Sequence, residues 1–130
     1  MKIRHFFVIS VMAFSIAVTA FAQRTIKADT GGHGTFEGRE SHAITRAYFE
    51  TVGEPSVALS DEREFNVRFR CAIEDTRNDR EFRLRILDSD RGEASGRVVV
   101  RLNRDRNEIE SVEIRGRHRG HRISANFARN

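Results

Sequence analysis

Residues 115–122 read RGRHRGHR, four arginines and two histidines around two glycines with no acid among them. The guanidiniums of Arg115, Arg117, Arg119 and Arg122 are planar, permanently charged forks that match phosphate, sulfate and carboxylate oxygens. His118 and His121 add cationic capacity as pH falls toward their ordinary titration range. From Arg115 to Asn130 there are five arginines and no acid, while the rest of the chain from Gln23 onward carries 16 basic and 19 acidic residues. Charge segregated in this way attracts anionic polymers through its field. Single-strand nucleic-acid readers interleave such charges with aromatic rings. Here Tyr48 is the only tyrosine and Phe127 falls in a core-facing phase, so sequence-specific nucleic-acid recognition is not expected. His118 and His121 are three apart and could begin a metal set. The adjacent arginines would repel a cation and no Cys or acid lies close by, so neither metal nor cofactor is assigned.

Other constellations point to structure rather than catalysis. Residues 61–93 hold ten acids and eight arginines. General acid–base work needs a desolvated carboxyl with a raised pKa, whereas nearly every acid here has an arginine nearby in sequence. The outward Arg68, Arg70, Arg83 and Arg85 are expected to pair with acids on adjoining strands. The segment DSDRGE at 88–93 resembles the opening of a calcium loop, but its glycine is one position early and the closing Glu is missing. Cys71 is the only cysteine. It shares its phase with Phe65, Val67, Phe69 and Ile73, which points all five inward and makes the thiol a small hydrophobe. No nucleophile–base pair is present, so the chain is not expected to be an enzyme.

The elements that must position these residues begin after a processing signal. Lys2 and Arg4 precede an apolar run from Phe6 to Ala20, and Ala20-Phe21-Ala22 supplies a small-x-small cleavage pattern. Residues 1–22 are therefore expected to be a signal peptide, with Gln23 as the new terminus and a secreted or periplasmic destination. Without Lys2 and Arg4 the net charge falls from +4 to about +2. The remaining chain is long enough for one domain. A single cysteine excludes an internally disulfide-stapled scaffold. Residues 23–34, QRTIKADTGGHG, are polar and glycine-containing without period, which predicts a flexible arm ahead of a single β domain at 35–130.

Within that domain apolar residues recur at every second position. Phe82, Leu84 and Ile86 alternate with arginines; Val98, Val100 and Leu102 form a second set, and Ile123, Ala125 and Phe127 a third. A period of two marks strands with one buried and one wet face. Ile109 is out of phase with Val112 and Ile114, as a β-bulge would make it. Ile44, Ala47, Tyr48 and Val52 also fit a helical stripe, but the β-branched and aromatic content of 41–52 favours a strand. The residues flanking RGRHRGHR are strand-like, which makes that stretch a hairpin with its tip near Arg117–Gly120.

Short connections require antiparallel neighbours. The sequence therefore predicts an all-β fold, an antiparallel meander of seven to eight strands closing into a small barrel, with a β-sandwich as the alternative. The function it suggests is a small exported binding module touching anionic polymers through Arg115, Arg117, His118, Arg119, His121 and Arg122. The alternatives are a secreted protein-interaction or inhibitor domain, and a barrel carrying an apolar ligand.

Overall fold

The computed structural model describes residues 25–130; the expected signal peptide and its cleavage point at Gln23 lie outside them. Eight strands follow one another: β1 Lys27–Glu37, β2 Ser41–Glu50, β3 Ser56–Ser60, β4 Asn66–Arg77, β5 Glu81–Ser89, β6 Ala94–Leu102, β7 Ile109–His118 and β8 His121–Arg129. Each pairs antiparallel with its predecessor, and β1 closes the circle against β8, so the meander is a barrel without a free edge.

The interior is where the two-residue period points. Val67, Phe69 and Cys71 of β4, Leu84 and Ile86 of β5, Val98 and Val100 of β6, and Val112 and Ile114 of β7 are all buried in one cluster. On β4, β5 and β7 charged side chains occupy the outer positions between them. Apolar-in and charged-out is the inverse of the lipid-facing pattern of transmembrane barrels. Among the described residues no helix is long and apolar enough to cross a membrane.

The phase breaks are register breaks. Leu102 faces Ile109 while Arg101 faces Ser111, so β7 carries one extra residue and Ile109 turns inward as a bulge requires. The freed Ile109 N–H donates to Thr30 Oγ1 at 2.8 Å, tying β7 to β1, which is not its ladder neighbour. Segment 41–52 is strand through Glu50. The β1–β2 register shifts between Gly31 and Gly34, which puts Ile44 and Ala47 on the same inner face although they are three apart. That shift produced the helix-like spacing.

Two expectations are corrected. From Lys27 onward the supposed flexible arm is strand β1, paired with β2 from Lys27 to Gly31 and with β8 from Gly32. Its glycines permit the closing approach: a Cβ on Gly34 would lie 1.9 Å from the Asn126 carbonyl oxygen, and one on Gly32 2.3 Å from that of Ala128. A polar, glycine-rich run is here the tightest seam of the barrel. Ile73, expected inside, is 41% exposed. Ile73 stands opposite the buried Leu84 and so keeps the parity of Cys71, but β3 begins at Ser56, opposite Arg70, and this part of β4 runs past it with β5 as its one ladder partner.

In an eight-strand meander alternate turns share one end. The β1–β2, β3–β4, β5–β6 and β7–β8 connections therefore ring the same mouth. At β3–β4 the Asp61 carboxylate accepts backbone N–H bonds from Arg63, Glu64 and Phe65, which folds the turn and holds its carboxyl below the usual range.

Candidate functional site

The RGRHRGHR stretch is the β7–β8 hairpin. His118 pairs with His121, and Arg119 and Gly120 form a two-residue turn with φ of 54° and 82°. Positive φ at both central residues is the turn whose twist matches the flanking strands, and glycine accommodates the second position without strain.

Alternation then divides the six candidate residues between two faces. Arg115 and Arg117 on β7 and Arg122 on β8 point outward. His118 follows Val112, Ile114 and Gly116 on the inner side, and with His121 and Arg119 it lines the barrel mouth. The hairpin is thus two half-sites, not one patch.

On the outer wall the register assembles a larger cationic surface than the hairpin alone. Arg85 of β5 faces Arg97 of β6, and Arg97 faces Arg115 of β7. One row nearer the hairpin tip, Arg117 faces Arg122. Like charges directly opposite on neighbouring strands repel. The nearest acid to this row is Glu74, 3.9 Å from Arg97, whose side chain is 83% exposed. Among the described residues Arg85, Arg115 and Arg122 have no carboxylate partner. Between the two rows Gly96 faces Gly116. A Cβ on Gly116 would fall 2.0 Å from the Ser95 carbonyl oxygen. The bare backbones let β6 and β7 close up where their arginines repel.

Several guanidiniums elsewhere on the barrel are neutralised. Arg70 bonds Asp88 with two nitrogens and Glu54 with a third, holding its pKa above the ordinary value and that of Asp88 below. Arg46 joins Asp29 and Glu62, Arg101 joins Glu81, and Arg129 joins Glu108 and Glu110. Of the four outward arginines expected to meet acids on adjoining strands, Arg70 does so. Arg83 meets Glu81 on its own strand. Arg68 lies over the Tyr48 ring at 5.2 Å and donates to Ser56 Oγ, covering Ala58. Arg85 belongs to the unpaired row. Its outward phase was legible in sequence; its neighbours across two strands were not.

The mouth is the other half-site, an open cleft of roughly 370 Å³ floored by Phe36, Phe65 and Ile123. His42 stacks on Phe65 with centroids 4.1 Å apart and planes 9° from parallel. Arg91 also lies over the Phe65 ring, 5.3 Å from its centroid. His118 meets the edge of Phe69, and its Nε2 is 2.8 Å from Ser89 Oγ. Burial, then the neighbouring Arg119 and Arg91, lower the His118 pKa. Sequence patterning missed Arg39, Arg91 and His42 because Arg91 sits far from the other two in the chain and all three meet only at the mouth.

Cys71 is buried, its Sγ donating to the Phe69 carbonyl at 3.6 Å, and desolvation pushes its pKa up to about 12. A thiol so protonated is a packing group. Among the described residues no group of three or more His, Cys, Asp or Glu is placed to hold a metal ion.

The fold and surface define a small closed antiparallel barrel with a filled apolar core and one arginine-lined wall. No family model, curated protein or solved structure matches the chain.

Proposed function

We propose that this protein is an exported binding module that holds anionic polymers against the β5–β8 wall through Arg85, Arg97, Arg115, Arg117 and Arg122. The observation that carries this reading is the Arg85–Arg97–Arg115 row, three guanidiniums in direct cross-strand register. Such a row costs folding stability and is repaid when phosphate, sulfate or carboxylate groups lie along it. The export signal expected at 1–22 favours an envelope or extracellular polymer as the target. His118 and His121, first grouped with these arginines, face the mouth and are set apart from this surface.

Duplex DNA serves as a sequence-neutral polyanion for the test. The logarithm of affinity should fall linearly with the logarithm of salt concentration, by about 0.9 per phosphate contacted. Changing Arg97, Arg115, Arg117 and Arg122 together to Gln should flatten that slope. The matched control removes the same charge from neutralised positions: Arg46, Arg70, Arg101 and Arg129 to Gln. Equal loss from both sets, or no binding at low salt, would defeat the proposal.

The alternative of an apolar ligand finds less support, since Phe49, Phe69, Leu59, Leu84, Ile44 and Ile114 fill the interior as one packed cluster.

A further inference from the structure

We infer that the barrel mouth is a second site, separate from the polymer-binding wall, for a small organic anion with a flat apolar body. Four turns converge there, and three of them bring a guanidinium: Arg39 from β1–β2, Arg91 from β5–β6 and Arg119 from β7–β8. None of these has a carboxylate partner among the described residues. Glu40 is the one acid lining the cleft, and it lies 3.8 Å from His42 Nε2 rather than against an arginine. The rim is therefore cationic, with Asp90 within electrostatic reach of His118 and Asp61 of His42 as further nearby acids.

The floor is apolar and aromatic. Phe36 and Phe65 meet at 5.1 Å, and the His42 ring lies flat on Phe65. A flat ring system can rest on this surface while its carboxylate or sulfonate reaches the rim, gaining charge-assisted hydrogen bonds in a partly desolvated setting. A bare inorganic anion would leave the half-buried His42 ring with no stacking partner beyond Phe65, and a neutral ring would leave the guanidiniums unmatched. The turns wall the cleft on several sides, which suits a molecule of a few rings and not a continuous chain. Arg119 is held for this role: its backbone N–H donates to the Glu93 carbonyl at 2.8 Å, and its side chain packs beside Gly92.

The test titrates the purified protein with 2-naphthoate, with 2-naphthalenemethanol and inorganic phosphate as separate arms, reading the histidine ring resonances by NMR. Naphthoate should bind one to one, saturate below about 1 mM and shift His42 and His121. The neutral alcohol and the phosphate should each bind at least about tenfold more weakly. Arg91→Gln with Arg119→Gln should weaken naphthoate about tenfold or more, with the far-ultraviolet β spectrum retained. Arg115→Gln with Arg117→Gln should leave naphthoate binding unchanged while weakening DNA, so failure at either site is read independently. Absence of saturation, equal binding of the neutral alcohol, or equal binding of phosphate would each overturn the inference.

Discussion

Arg115→Glu inverts one charge beside Arg97 in the outer row, and the register says what should follow. Arg115 faces Arg97 across one ladder and Ser124 across the other, and it has no carboxylate partner. An opposite-charge cross-strand pair contributes roughly 0.2–1 kcal/mol and a like-charge pair costs a similar amount, so the swing with Arg97 is about 0.5–2 kcal/mol. Along β7 the new carboxylate would lie two residues from Glu113 and two from Arg117, contributions that largely cancel. Arg122, diagonal to it, adds a little more attraction. We expect a net stabilisation of about 1 kcal/mol at low salt, discounted because every partner is solvated. With a urea m-value near 1 kcal/mol per molar for a domain of this size, the midpoint should rise by about 1 M. At 1 M NaCl the screening length shrinks to about 3 Å, and the gain should vanish. The same variant should bind DNA more weakly than the parent, gaining stability as it loses the proposed binding. A double-mutant cycle with Arg97→Gln should remove most of the stabilisation. An unchanged or lower midpoint at low salt, or a gain that survives 1 M NaCl, would refute the repulsive row.

Further expectations follow from the core and the strand seams. Cys71 should label slowly with a thiol reagent in the native state and rapidly in denaturant, and fast native labelling would contradict its burial. Its folded pKa of about 12 lies above the unfolded value near 9, so the unfolded chain releases the proton first. This group's contribution to stability is therefore present below pH 9 and lost as pH rises toward 12, a slope that Cys71→Ala should remove from alkaline denaturation curves. Gly116→Ala drives a Cβ into the Ser95 carbonyl and should cost about 1–3 kcal/mol in urea melts, while a neutral result would mean that β6 and β7 can separate at that point. DNA binding by that variant should also fall, because parting the strands spreads the arginine rows.

The sequence alone determined the strands, because a period of two can bury only one face of an extended chain. Parity made Phe69 and Cys71 core residues, the misphased Ile109 announced its bulge, and the strand-like flanks of RGRHRGHR marked a hairpin with its tip near Arg117–Gly120. The same parity separates Arg115 and Arg117 from His118, a signal present in the sequence but overridden by composition when the six residues were grouped as one patch. The tertiary structure decided what lies beside what. Segment 27–34 looks like an arm because glycine has no side chain to pack, yet that lack is what the β1–β8 seam requires, and only barrel closure reveals the need. Ile73 keeps its inward parity opposite Leu84 yet is exposed because β4 there runs past the end of β3, and no local pattern encodes where a neighbouring strand stops. The Arg85–Arg97–Arg115 row and the arginine-rimmed mouth likewise exist only after pairing, since register and closure bring together residues that are dozens of positions apart. Physical proximity between strands is a property of the ladder, and a single chain read in order carries the alternation but not the alignment.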